Sequence, residues 1–224
     1  MIRTLASYII FFVLVIFLTT WRNLLIFKDR SSYLKRLLYQ DEIKSGDLFL
    51  IGYKKPGNIL GDSLLKVNFN HIAISVWEDS NLYMIEYANY FNKEQGLLKI
   101  PYERWKRYNK NTTVLKNKIN FEEDQIANNI LKFYNENKEK LKTFEGGWKP
   151  DWYRFLYKKN KYSDLDFKNQ TTCTEIMAYL LSEIGLVRKN RALSDYHQSD
   201  FINLKGFDLV KKVSYSKPHL VKFC

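Results

Sequence analysis

Two cysteines, Cys173 and Cys224, are too few in 224 residues for a disulfide framework. Neither belongs to a CxxC pair, so the commonest zinc arrangement is also missing. Nine glycines and four prolines exclude collagen-like and Gly/Pro-rich low-complexity chains. The three histidines, His71, His197 and His219, do not fall at ligand spacing with each other or with Cys173. No metal site and no cofactor is therefore expected. There is no helix-turn-helix, zinc-finger or RNP-type signature and no internal repeat. The net charge of +12 thus comes without a nucleic-acid reader, and no nucleic-acid partner is expected.

What is present is apolar and aromatic. The apolar fraction is 46% and the aromatic fraction 16%, which excludes general disorder. A chain of this length supports one domain with a small appendage.

The appendage is at the amino end. Residues 4–21 carry no charge and are largely apolar (TLASYIIFFVLVIFLTTW), flanked by Arg3 and Arg22. Eighteen residues approach the roughly 20 that span a bilayer as a helix. No small-x-small cleavage pattern follows the run, so we read residues 1–22 as a retained anchor rather than a signal peptide. Arg22, Lys28, Arg30, Lys35 and Arg36 lie on its carboxyl side, against Arg3 on the other. That bias places the remainder on the cytoplasmic side of a single-pass protein. Residues 1–40 hold six basic groups and one acidic group, Asp29, so +5 of the +12 is explained by topology and anionic headgroups. Asn111-Thr112-Thr113 and Asn169-Gln170-Thr171 are potential glycan acceptors, and a glycan at the second would obstruct Cys173, which agrees with that sidedness.

Beyond the anchor, residues 23–44 read as a juxtamembrane linker, with Leu34, Leu37 and Leu38 at helical spacing within Ser31 to Glu42. Residues 45–224 form the main domain. Gly46-Asp47 turns into an apolar strand, Leu48 to Ile51, and residues 54–62 form a loop. His71 to Trp77 and Leu82 to Ala88 flank a polar turn and predict a hairpin. Leu97 to Ile100 adds a strand and Tyr102 to Tyr108 a short helix. Asn120 is placed to cap a helix over Phe121 to Lys142, ended by Gly146-Gly147. A second helix runs from Cys173 to Ile184 and closes at Gly185, and Leu204 to Val213 reads as a late strand. Central strands with flanking helices imply an α+β fold.

Thr172-x-x-Glu175 is a capping box that sets Cys173 at the first helical position. A thiol there lies among backbone N–H groups, and the helix dipole favours the thiolate. The same amides suit a developing oxyanion. Taken alone, a lone cysteine at a helix start is more often a small packed residue. A nucleophile also needs a base and a group to orient it. Pairing Trp77 with Leu82 puts His71 opposite Ala88, with Glu86 its diagonal neighbour on the same face. Glu86 can then fix one imidazole nitrogen and leave the other for the thiol.

Gly46-Asp47 before a strand, Asn70 to Val76, Met84 to Ala88 and Thr172 to Glu175 occur in that order. In this order the chain resembles the circularly permuted papain-like enzymes of the NlpC-type superfamily. That group includes lecithin:retinol acyltransferase-like enzymes and relatives in bacteria and large DNA viruses. The similarity extends over residues 46–185. It implies a permuted papain-like fold with a central antiparallel sheet packed against helices. It further implies Cys173 as nucleophile, His71 as base, Glu86 as orienting group, and Asp47 in shaping a turn. The chain departs from the pattern at Thr172, where an aromatic is usual, and at Tyr196 to Asp200, which lacks a proline.

The resulting expectation is a membrane-anchored cysteine hydrolase acting through a thioester on a peptide, isopeptide or lipid acyl bond. A lipid acyltransferase and a catalytically silent binding protein on the same scaffold are the alternatives. Trp148, Trp152 and Tyr153 are candidates for lining a substrate cleft or touching the bilayer, against ordinary core packing.

Overall fold

The structure is a computed structural model that describes residues 35–37, 39–52, 71–90, 94–110, 112–117, 119–120, 125–142, 172–193, 196, 198–204, 207–210, 213–215 and 219–222. The expected anchor over residues 1–22, the 54–62 loop, Gly146-Gly147, Trp148, Trp152, Tyr153, His197, Cys224 and both acceptor asparagines lie outside the described residues. Among the described residues, no helix is long and apolar enough to cross a membrane.

The elements in chain order are β1 (Lys35–Leu37), a 3-10 turn (Gln40–Glu42), β2 (Leu48–Gly52), β3 (His71–Glu78), β4 (Asn81–Tyr90), β5 (Glu94–Pro101) and α1 (Tyr102–Tyr108). After them come β6 (Thr113–Asn117), β7 (Ile119–Asn120), α2 (Gln125–Asn137), α3 (Cys173–Glu183), α4 (Gln198–Asn203), β8 (Ser214–Tyr215) and β9 (His219–Lys222). Seven strands form one sheet in the order β1-β9-β6-β2-β3-β4-β5, antiparallel except for the β1–β9 pair. β7 and β8 form a separate two-stranded ribbon. The fold is α+β, with a largely antiparallel sheet packed against helices.

Strand periodicity builds two cores. Ile72, Ile74 and Val76 of β3 join Leu48, Leu50, Ile85 and Tyr87 on one face. Against them pack Ile126, Ile130 and Phe133 of α2 and Ile176, Met177, Leu180 and Leu181 of α3. The other face presents Phe49, Ile51, Ala73, Met84 and Ala88, covered by Tyr102 and Trp105 of α1. With both faces covered, β2 is buried along its whole length, which is why Leu48 to Ile51 is an unbroken apolar run. Each large aliphatic side chain buried this way contributes about 1.5–3 kcal/mol.

The β3–β4 turn sets the register on which the site depends. Glu78 pairs with Asn81, and the two residues between them, Asp79 and Ser80, both have positive φ (47° and 63°). That backbone matches the right-handed twist of the strands it joins. It makes Trp77 the partner of Leu82 and Ala73 the partner of Glu86.

The chain ahead of β2 is tied down by polar contacts. Asp47 and Lys116 form a fully buried ion pair at 2.9 Å, and Lys116 Nζ also donates to the Glu42 carbonyl at 3.0 Å. Asp47 Oδ2 accepts from the Lys44 amide, so Asp47 does shape this turn. Trp77 Nε1 donates to the Ile43 carbonyl at 2.7 Å, and Ser75 Oγ to the Lys44 carbonyl at 2.6 Å.

Three expectations need correction. The helix expected over Ser31 to Glu42 is, over its described part, strand β1 and a 3-10 turn. Pairing with β9 overrides the local leucine spacing and joins this stretch to the main sheet. The helix expected over Phe121 to Lys142 ends at Asn137, and residues 138–141 form a turn; residues 121–124, where it was expected to start, lie outside the described residues. The described residues of Leu204 to Val213 form no strand: they make a single isolated bridge, Leu209 to Val187, and Leu204 has φ of 54°. The apolar residues Leu204, Phe207 and Val213 pack into the helix-side core instead.

Gly96 of β5 has φ of +94°, and a Cβ there would lie 2.1 Å from the Leu141 carbonyl oxygen. The neighbouring Leu97 amide bonds that same carbonyl at 2.7 Å, so the backbone after α2 is fastened to the sheet here. Gly96→Ala is therefore expected to destabilise the fold by about 3 kcal/mol or more, read from urea denaturation midpoints.

Candidate active site

Cys173 opens α3, as the capping box requires. Thr172 is the N-cap in extended conformation, and its hydroxyl accepts from the Glu175 amide at 3.3 Å. Glu175 Oε2 accepts in return from the Thr172 amide at 2.7 Å. The helix ends in a Schellman motif: the Leu186 amide bonds the Leu181 carbonyl, the Gly185 amide bonds Ser182, and Gly185 supplies the positive φ of 80°. Ile176, Leu180 and Leu181 bury the apolar face of α3 against the sheet. Capped at both ends and held along one side, α3 presents a half-buried Cys173 thiol at a fixed point.

His71 is the first residue of β3. It shares a strand face with Ala73 and Ser75, while Glu86 shares the corresponding face of β4. The hairpin register delivers the diagonal contact expected from parity: His71 Nε2 lies 2.8 Å from Glu86 Oε2. The imidazole also hydrogen-bonds the Cys173 side chain. With Nε2 engaged by Glu86, Nδ1 is the ring nitrogen left for the thiol. Cys173, His71 and Glu86 thus form a continuous hydrogen-bonded chain, with Glu86 fully buried and His71 nearly so.

The electrostatics follow from this placement. Burial disfavours the charged imidazolium, but the Glu86 carboxylate and the hydrogen bonds to Cys173 and Glu86 outweigh it. The net effect raises the His71 pKa from 6.5 to about 10. His71 is then protonated at neutral pH, able to stabilise a facing thiolate and to act as an acid. Because the folded state holds this proton more tightly, the site stabilises the fold fully below pH 6.5, and the contribution is lost as pH rises through about 10.

Two further residues belong to the site beyond those expected from the sequence. Tyr90 donates its hydroxyl to Glu86 Oε1, and the Trp105 indole donates to Glu86 Oε2 at 3.2 Å. Tyr90 lies four residues beyond Glu86 on the same strand face, a signal that parity alone contains. Trp105 comes from α1 and has no local signal. Among the described residues, no three His, Cys, Asp or Glu side chains stand together as a metal site. His219 lies in β9, at the far side of the sheet from β3.

No protein-family profile matches the chain. No curated protein matches it. Among solved structures, the chain is similar to metalloprotein yiiX from Escherichia coli O157:H7 (DUF1105), at 10% identity and a TM-score of 0.43. That alignment covers 78% of this chain and 97% of the other.

Glu86→Gln removes the charge that raises the His71 pKa. The expected result is a His71 titration midpoint well below about 10, followed by nitrogen-detected NMR of the imidazole. An unmoved midpoint would assign the shift to something other than Glu86.

Proposed function

We propose that the chain is a cysteine hydrolase with a permuted papain-like fold, anchored to a membrane by residues 1–22 with its domain on the cytoplasmic side. The observation that carries the reading is the hydrogen-bonded chain from Cys173 through His71 to Glu86. The order of elements supports it too: a Gly-Asp turn, a strand opened by His71, a strand bearing Glu86, and last a helix opened by Cys173. A silent binding protein has no need of a buried carboxylate aimed at a histidine that in turn meets a thiol.

The chemistry follows from the arrangement. Cys173 Sγ, as thiolate beside the His71 imidazolium, attacks a carbonyl carbon. The carbonyl oxygen takes up the negative charge, and the backbone N–H of Cys173 in the first turn of α3 is placed to stabilise it. Collapse breaks the bond to the leaving nitrogen or oxygen, which receives the proton from His71. The acyl group is now a thioester on Cys173. His71, neutral after this transfer, takes a proton from water as water attacks, and the acid departs with the thiolate restored. Glu86 keeps the ring oriented and its positive form favourable throughout. Substrates of this chemistry are amide bonds in peptides or isopeptides, and acyl bonds in lipids. An acceptor other than water would make the same intermediate a step of acyl transfer.

An electrophilic thiol probe at mildly acidic pH tests the nucleophile, since ordinary thiols react poorly there. Cys173 is expected to be labelled, and His71→Ala to lower its labelling rate at least about 100-fold with the circular dichroism spectrum unchanged. A Cys173→Ala variant that labelled as strongly as the parent would overturn the assignment.

A further inference from the structure

The carboxylate of Glu86 is held from more sides than its partner His71 requires. Both of its oxygens are used: Oε1 by the Tyr90 hydroxyl, and Oε2 by His71 and the Trp105 indole. Glu86 and Trp105 are fully buried and Tyr90 is buried. A carboxylate in such a site rotates freely about its last bond only if its acceptors are unclaimed, so these donors choose which oxygen faces the imidazole.

The donors are themselves fixed by one short helix. Trp105 is wedged between Phe49, edge-on at 5.5 Å between ring centres, and Tyr102, stacked at 6.2 Å. Tyr108, three residues after Trp105 and so on the same side of α1, lies 4.7 Å from the Tyr90 ring. Arg104 then bonds the Tyr108 hydroxyl at 2.6 Å and Glu94 Oε1 at 2.6 Å, which fastens α1 to the start of β5. The α1 face therefore acts on Glu86 twice, directly through Trp105 and through the packing of Tyr108 on Tyr90.

We propose that Tyr90 and Trp105 are positioning residues of the Cys173–His71–Glu86 site, and that α1 is the element that locks Glu86 Oε2 onto His71. They act through Glu86 and need not touch substrate. This deepens the cysteine-hydrolase reading and rests on it. The arrangement of donors around Glu86 is a claim of its own, however, and can fail separately.

Among the described residues, three groups face the His71–Glu86 pair: Cys173 from α3, Tyr90 from β4 and Trp105 from α1. Removing the Tyr90 hydroxyl leaves Oε1 without its donor and lets the carboxylate turn. The pull of Glu86 on the imidazolium then weakens.

The test uses the full chain with Tyr90→Phe, which keeps the ring against Tyr108, and Trp105→Phe as the second variant. Two quantities are read: the His71 titration midpoint by nitrogen-detected NMR, and the rate of iodoacetamide alkylation at Cys173, located by peptide mass mapping. Tyr90→Phe is expected to lower the His71 midpoint and to cut Cys173 alkylation at neutral pH about tenfold, with the alkaline limb of its pH profile moving down in step. Trp105→Phe is expected to move both the same way. A purely structural role predicts a lower melting temperature with the midpoint and the alkaline limb unmoved, and that result overturns the proposal. Should either variant fail to fold, the other decides. If Cys173 in the parent reacts like an ordinary thiol, the hydrolase reading falls; the His71 midpoints still decide whether Tyr90 and Trp105 govern Glu86.

Discussion

A carboxylate with no access to water needs donors or a cation, and Glu86 has both. This requirement organises the molecule around the site. The β3–β4 register must place Glu86 diagonally from His71, α1 must bring an indole to the carboxylate, and β4 must run on to Tyr90. A buried charged pair is a weak device for stability, because removing both charges from water costs about as much as their attraction returns. The effect of the pair falls on His71. The imidazole stays protonated at neutral pH and keeps one orientation toward Cys173.

The two cores explain how three residues from different layers meet. Glu86 and Trp105 approach from the face covered by α1, whereas Cys173 packs beside the core on the helix side. His71 begins β3 and can be reached from both. Each component is held by ordinary forces: the hairpin turn for His71 and Glu86, apolar burial for α1, and the capping box with the Schellman ending for α3. The Asp47–Lys116 pair performs a similar service for the segment before β2, which is also bound to the sheet by bonds from Lys116, Ser75 and Trp77 to its carbonyls.

What could be read from the sequence was what depends on short-range rules. The capping box places Cys173 at the first helical position, the two-residue turn pairs Trp77 with Leu82, and strand parity brings His71 and Glu86 to one face. What could not be read depends on partners distant in sequence. β1 is a strand because β9 lies beside it, nearly two hundred residues on, and no local pattern in Lys35 to Leu37 announces that. Leu204 to Val213 is apolar enough for a strand, yet its side chains are used in the core while Leu186, Arg188 and Val210 exchange only a few backbone bonds around Val187. Trp105 is invisible for the same reason: its role is defined by α1 folding back over β4 and by nothing in its own neighbourhood.

The charge of the chain is consistent with the same account, since the basic residues near the amino end flank the apolar stretch proposed as an anchor. The role proposed for Cys173 requires it to form a covalent acyl intermediate. Intact-mass measurement after exposure to candidate peptide and acyl-lipid substrates tests it most directly. The expected result is a mass increase equal to one acyl group, mapped to Cys173, discharged by hydroxylamine and absent from Cys173→Ala. An acyl adduct that persists in Cys173→Ala, or substrate turnover that survives that substitution, would contradict it.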